Sequence, residues 1–347
     1  MTTAKEFKKE FYKSYHTDSI LPHIFRGNNY EKFESSRSEA YRAYRRHWSE
    51  VPNKRLVTEF PMHISVATNN ACNLRCPMCP RAYDYTLTKG KTTISLDVFK
   101  TTVDEGVANG LMAIRLNKQN EPTLTSDLPD YIDYAKSKGV LDVMINTNAV
   151  ALTQRLGKDL ILSGLDKINI SFDSHEKEIY EGIRVGAKFE EVVDNIRNFF
   201  TLRRELDSIT PLIRISRVTK SSETSKLADF TELFKEWCDE VVFTNWVNYE
   251  ATPAMLKKKE ISDAEIFEIC GTCLQPYQRL EIDAFGNVYG CCMETEDMKL
   301  GNINESSLMT LWHGDKIKQI RRILSEKKHL TLRSCSICYA GMVCDTI

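Results

Sequence analysis

Apolar residues follow two rhythms along this chain. From about residue 62, short β-prone runs alternate with longer stretches in which apolar positions recur every three or four residues. The short runs are 62–68 (MHISVAT), 111–117 (LMAIRLN), 142–148 (DVMINTN), 167–173 (KINISFD), 212–218 (LIRISRV) and 240–247 (EVVFTNWV). Between them, 95–110, 128–139, 153–164, 189–206 and 225–238 carry helical periodicity, with Ser95 placed to cap the first helix and Gly110 to stop it. Strands alternating with helices predict a parallel sheet. Six units are too few for a closed eight-stranded barrel. The expected fold class is therefore α/β, a partial (β/α)6 TIM-like barrel followed by a small cysteine-rich C-terminal domain.

Residues 1–60 are polar and hold one amphipathic stretch, 30–48, with aromatics at helical spacing. It should pack on the main domain. The alternation stops at 249–263, a polar segment with proline and lysines that reads as a linker. The expected organisation is a helical extension over 1–60, the barrel over 61–249 and the cysteine-rich domain over 250–347. Inside the last, residues 280–292 read as a β-hairpin turning at 284–287.

Composition adds little until the cysteines. Hydrophobic content of 42% and charged content of 27% are those of a globular protein. A net charge of −1 gives no field to draw nucleic acid or an anionic membrane, and no apolar run nears the roughly 20 residues that span a bilayer. The charged N-terminus lacks the apolar core of a signal peptide. The expectation is a cytoplasmic protein with neither nucleic-acid nor membrane partners. Its eleven cysteines fall at 72–79, 238, 270–292 and 335–344. Reduced thiols clustered with two-residue gaps suit a metal or iron–sulfur cluster.

Cys72, Cys76 and Cys79 are spaced CxxxCxxC directly after the first strand, where α/β folds place their chemistry. Pro77 and Pro80 oppose helix there and should hold an extended loop. No neighbouring histidine or cysteine supplies a fourth ligand, and His63 lies inside the strand. A four-iron cubane held by three thiolates leaves one iron open to an exogenous ligand. The spacing and its strand context resemble the radical S-adenosylmethionine superfamily.

That resemblance implies a 4Fe–4S cluster binding S-adenosylmethionine (SAM), a 5′-deoxyadenosyl radical that takes a hydrogen from substrate, and a flavodoxin- or ferredoxin-type reductant. It further implies Glu121 for the methionine amino group, although the family's preceding glycines are absent. Asn146 and Asn148 end the third strand, Ser171 and Asp173 match the ribose-contacting stretch, and Arg184 or Arg214 would pair with the methionine carboxylate.

The C-terminal cysteines resemble SPASM/twitch domains, which hold auxiliary clusters. By that resemblance Cys273, Cys291, Cys335 and Cys338 hold one auxiliary 4Fe–4S cluster, with Cys270 and Cys344 in reserve; the further ligands of a full SPASM domain would lie past Ile347. Cys292 and Cys238 remain, and each reads as a small buried apolar residue or as a thiol that returns a hydrogen atom to a substrate radical. Cys292, next to Cys291 on a hairpin, should face the opposite way. The leading expectation is oxidation or epimerisation at a carbinol carbon of a small polyol or (nucleotide-)sugar. Peptide or protein maturation is the alternative. A non-enzymatic iron–sulfur carrier is the third, and it requires every metal site to be closed by protein.

Overall fold

The structure is a computed structural model that describes residues 25–83, 90, 92–219, 226–245, 262 and 273–344. The linker expected at 249–263 falls outside them, Ser262 aside, as do Cys270 and the side chain of Cys344. In chain order the elements begin with β1 (Phe25–Arg26), α1 (Asn28–Ser36) and α2 (Glu39–Asn53). The repeating part comprises β2 (His63–Val66), α3 (Pro80–Tyr83), α4 (Leu96–Ala108), β3 (Ala113–Arg115), α5 (Leu128–Ser137), β4 (Asp142–Thr147) and α6 (Gln154–Leu162). It continues through β5 (Lys167–Ser171), α7 (Lys177–Ile183), α8 (Phe189–Glu205), β6 (Leu212–Thr219), α9 (Leu227–Phe234) and β7 (Glu240–Asn245). The last part holds β8 (Arg279–Ile282), β9 (Asn287–Tyr289), β10 (Lys299–Asn302), α10 (Leu308–Trp312), α11 (Asp315–Ser325) and α12 (Arg333–Cys344).

All six strands expected from the apolar runs form, and β2 to β7 lie in sequence order as parallel neighbours. Caps sit where short polar side chains precede helical periodicity: Ser95 accepts from Val98 N (3.2 Å) and Thr153 from Leu156 N (3.2 Å). The 30–48 stretch is two helices rather than one. Arg37 is extended, and the Ser38 hydroxyl accepts from Tyr41 N (3.2 Å) to start α2 afresh.

One face of each barrel strand is aliphatic, with Ile64, Ile114, Val143, Ile145, Ile168 and Ile215 buried in the main core with the helices. The strand starts are sealed from below. Tyr41, Tyr44 and Trp48 share one face of α2 and run edge-to-face from Phe33 to His63, with ring centroids 5.5–6.4 Å apart. The catalytic end must then be the other end, where the strands finish.

The C-terminal part does not stand apart. β8 pairs in parallel with β2, and β9 and β10 follow antiparallel, so ten strands make one sheet in the order β1-β7-β6-β5-β4-β3-β2-β8-β9-β10. The expected hairpin is β8–β9, its turn held by Asp283 Oδ1 accepting from Phe285 N and Asn287 N (both 2.9 Å), with Gly286 at φ +82°. Helix α10 is docked by Glu105 of α4, which accepts from Leu308 N (3.1 Å) and Met309 N (2.9 Å). Trp312, fully buried, donates to Thr58 O (2.8 Å), and Arg321 stacks on its ring at 4.1 Å. Trp312→Ala should cost about 3–5 kcal/mol in urea unfolding; a shift under 1 kcal/mol would mean that α10 is not a tie. Among the described residues no helix is long and apolar enough to cross a membrane.

Candidate active site

The loop after β2 is locked to the loop after β3 before the first cysteine is reached. Asn69 Nδ2 donates to Glu121 O (3.0 Å) and Thr125 Oγ1 (2.7 Å), while its Oδ1 accepts from Ala71 N (2.7 Å). Glu121 N donates to Ala71 O (2.8 Å). Arg81 spans the same gap, donating to Asn70 O (2.9 Å) and Gln119 O (3.2 Å). Cys79 N then donates to Cys76 O (3.1 Å), a turn that leads into α3. Here the expectation of a wholly extended loop is corrected: Pro80 is the first residue of that short helix, where its missing N–H and fixed φ are tolerated.

Around the three thiols the structure gathers most of the predicted residues. Asn148 Nδ2 lies 3.9 Å from Cys72 Sγ and donates to Asn73 Oδ1 (2.8 Å). Arg184, at the end of α7, reaches Cys76 Sγ at 4.0 Å and donates from Nε to Asp173 Oδ2 (2.6 Å). Asp173 Oδ1 also accepts from Val218 N (3.0 Å). Burial pushes the Cys72 thiol up against the pull of the Leu74 N–H, and the Cys76 thiol up against the pull of Arg184.

Glu121 is 3% exposed and fully engaged. Its Oε1 accepts from Thr123 N (3.1 Å), Thr123 Oγ1 (2.6 Å) and Thr147 Oγ1 (2.6 Å), and its Oε2 from Asn148 N (2.8 Å). Burial raises its carboxyl, with those hydrogen bonds opposing. The carboxylate thus clamps the end of β4 to the loop that carries it. Glu121→Ala strands those buried donors, so thermal unfolding should show a loss of about 1–3 kcal/mol for each group left unpaired, with Glu121→Gln losing less. Equal losses in both would show that the acceptor pattern is not what matters.

Two arginines of the same chemistry are separated by their level along the strands. Arg214 sits third in β6, in register with Asn169 of β5, which in turn faces Asn146 of β4; its Nε donates to Glu240 Oε2 (2.7 Å) at the start of β7. The structure therefore does not bring Arg214 to the cysteine loop, and Arg184 takes that place. Asn146 N donates to Asn117 Oδ1 (2.7 Å), and Ser171 ends β5 in register with Ser216. These form polar rows on the face of the strands opposite the aliphatic one.

At the other end of the sheet, five cysteines line one cavity: Cys273, Cys291, Cys292, Cys335 and Cys338, with apolar Met298, Ile320 and Leu324. About 470 Å³ of non-atom space, the open mouth included, lies between these walls. Burial pushes Cys273 up to about 12 and raises Cys291 and Cys335 as well. Cys335 and Cys338 lie three residues apart on α12, hence on one helix face, not in the loop expected. Thiols spread round a cavity suit a cluster, whose irons take separate ligands, and sulfurs such as Cys291 Sγ, accepting from Met293 N (3.4 Å), are tuned by such bonds.

The two spare cysteines part company. Cys292 does not face away from Cys291, because β9 ends at Tyr289 and strand alternation ends with it. Cys238 is 4% exposed in the main core, just ahead of β7 and so at the sealed end of the strands. Burial holds its thiol high. The structure therefore does not bring Cys238 to the cysteine loop or to the thiol-lined cavity, and packs it among apolar side chains.

Sequence reasoning missed the buried ion pair of Lys118 and Glu294 (3.1 Å), with Lys118 4.7 Å over the Tyr289 ring, and the group in which Glu281 pairs with Arg115 (3.3 Å) and Arg279 (3.0 Å). Both join the end of β3 to the hairpin segment, and neither partner carries a local signal for the other.

Comparisons with known proteins agree with this arrangement. The family model described as "Radical SAM superfamily" matches residues 66–213, and "Iron-sulfur cluster-binding domain" (SPASM) matches 273–339. Among curated proteins, GTP 3′,8-cyclase of Limosilactobacillus fermentum is 25% identical over 65% of this chain and 65% of its own length. The enzyme of the same name from Listeria welshimeri is 23% identical over 63% and 64%. The chain thus spans just under two thirds of these relatives. Among solved structures, anSMEcpe with bound AdoMet superposes at TM-score 0.60 with 17% identity, covering 82% of this chain and 94% of that one. Streptococcus suis SuiB bound to its precursor peptide SuiA gives 0.60 with 15% identity, covering 90% and 76%. BtrN in complex with AdoMet and 2-DOIA gives 0.51 with 19%, covering 81% and 93%. These likenesses speak for the fold. By these two family matches the chain carries a radical SAM domain, of the superfamily that uses a 4Fe–4S cluster and SAM, and a C-terminal SPASM domain for auxiliary iron–sulfur chemistry.

Proposed function

We propose that this enzyme acts at a carbinol carbon of a small polyol or nucleotide-sugar, oxidising or epimerising it. When bound, a 4Fe–4S cluster with SAM supplies a 5′-deoxyadenosyl radical that takes a hydrogen atom from the substrate. The observation that carries the reading is the pairing of two thiol sites along one sheet, three thiols at the end of β2 and five round the cavity beyond β8, with polar rows of Asn146, Asn169, Ser171 and Ser216 on the barrel strands.

On this reading Cys72, Cys76 and Cys79 hold the SAM-binding cluster. Glu121 and Asp173, the carboxylates among the electrostatic neighbours of Cys72 and Cys76, are committed to other donors, which fits a site left open for an exogenous ligand. Asn148 and Arg184 sit against the sulfurs, where an amide and a guanidinium can bond SAM's amino-acid end. Asp173 fixes the Arg184 fork, and Ser171 offers a hydroxyl to a ribose. Cys273, Cys291, Cys335 and Cys338 hold one auxiliary cluster. Electrons come from a flavodoxin- or ferredoxin-type donor in the cytoplasm.

The test is anaerobic incubation of reconstituted protein with SAM, dithionite and UDP-glucose, myo-inositol or GTP, following 5′-deoxyadenosine and product. Sugar-dependent 5′-deoxyadenosine with a ketone or epimer supports the reading. GTP is included because curated relatives carry the name GTP 3′,8-cyclase. Turnover of GTP alone would replace the sugar reading with a nucleotide one.

A further inference from the structure

The row that crosses β4, β5 and β6 through Asn146, Asn169 and Arg214 lies on the inner face of the barrel. Along β5 the two faces alternate: Ile168 and Ile170 are buried, while Lys167, Asn169 and Ser171 are half-buried. The ends of β4 and β6 repeat this, so the strands cover their aliphatic face and leave the polar one open. The charges on that face are already matched. Lys167 holds Asp142 (2.7 Å) and donates to Tyr41 Oη (2.7 Å), and Arg214 holds Glu240 (2.7 Å). The amide of Asn169 is not matched. Among the described residues no hydrogen bond reaches its buried Oδ1.

A buried carbonyl without a donor costs the folded protein free energy that a ligand hydroxyl would return. The terminal torsion of asparagine is broad and roughly two-fold, so the amide can turn its oxygen or its nitrogen to the open side of the strand. A hydroxyl both donates and accepts, and so meets either end. A phosphate finds no such welcome, because Arg214 beside Asn169 and Lys167 below it are held by carboxylates. Depth in the barrel also matters. Asn169 is the third of five residues in β5, and Ser171, the last, is roughly 7 Å nearer the strand ends where the cysteine loop begins. Asn169 therefore lies one level beneath the residues placed around SAM.

We propose that Asn169 determines substrate specificity, its amide hydrogen-bonding a hydroxyl on the uncharged polyol part of the substrate. This rests on the carbinol reading above for the class of substrate, and narrows it. A cyclitol, or the sugar ring of a nucleotide-sugar, lies inside the barrel against Asn169, and any phosphate stays outside this row. A polyol that presents no hydroxyl there leaves the amide unpaired and is bound poorly. Asn169 makes and breaks no covalent bond, so its part is in binding.

The test reads binding without turnover. Reconstituted wild type and Asn169→Leu, kept anaerobic with SAM and no reductant, are titrated calorimetrically with myo-inositol and with UDP-glucose. Wild type should bind at least one of them, and Asn169→Leu should bind it roughly ten- to a hundredfold more weakly, the range expected when a hydrogen-bond partner is lost. SAM affinity should be the same in both proteins, since Ser171 and the cysteine loop are untouched. The urea midpoint should not fall, because leucine has a similar shape and removes an unpaired carbonyl; a merely structural asparagine would lower it. Equal sugar affinity in the two proteins overturns the inference, and so does wild type that binds neither sugar. A lower midpoint with SAM and sugar binding lost together makes the role structural and overturns it too. Asn169-dependent binding that gives no sugar-dependent 5′-deoxyadenosine once dithionite is added fails the carbinol reading and leaves the amide's role standing. Turnover with sugar affinity indifferent to Asn169 fails this inference alone.

Discussion

Replacing Cys76 with alanine should abolish 5′-deoxyadenosine formation, whereas replacing Cys335 should leave cleavage running and lose the product. Cys76 is buried, Cys335 half-buried, and both belong to the matched domains, but they sit in different places. Cys76 lies at the end of β2, 4.0 Å from Arg184, which is in turn fixed by Asp173. A site with three protein thiolates has none to spare, so removing one should lose the cluster and all reductive cleavage. Cys335 lies on α12 at the cavity beyond β8. Its loss should drop iron by about four per chain while the β2 loop keeps its own. Measuring 5′-deoxyadenosine, iron and product in both variants separates the two roles. Equal loss of cleavage in both would show that the sites do not divide the work.

The repeating half of the fold is legible because each strand is a short apolar run and each intervening helix has its own period and cap. Ser95 and Thr153 show this: a hydroxyl just ahead of a periodic segment fixes a helix start whatever packs on it later. Long-range pairing is not written locally. The four residues of β8 join β2 in parallel, a contact between distant parts of the chain that neither segment announces.

The candidate site divides the same way. The CxxxCxxC spacing is a local fact and could be read directly. Choosing Arg184 over Arg214 could not, because the two differ only in height along the barrel, and Arg214 is taken up by Glu240. The orientation of Cys292 is not legible for another reason: strand alternation holds only as far as Tyr289, where β9 ends. The helix bearing Cys335 and Cys338 has no clean apolar period, so only its packing reveals it.

Far from either thiol site, Asp239→Ala should cost the fold about 3–5 kcal/mol, because it leaves a buried guanidinium without its charge partner. Arg203 of α8 and Asp239, just before β7, are 3% and 1% exposed and pair through two bonds, Arg203 NH2 donating to Asp239 Oδ1 at 2.9 Å and NH1 to Oδ2. Asp239 Oδ2 also accepts from Ile213 N (2.7 Å), and Arg203 NH1 donates to Pro211 O (2.9 Å). One carboxylate therefore ties a helix to the starts of β6 and β7. Asp239→Asn keeps an acceptor for Ile213 and should lose less. Lys177→Ala is the control: its pair with Glu190 is exposed at both partners, where solvent screening leaves little net stabilisation, so its transition should be unchanged. Urea midpoints of the three variants decide the matter. If Asp239→Ala unfolds at the same midpoint as Lys177→Ala, the buried pair does not hold this side of the barrel together.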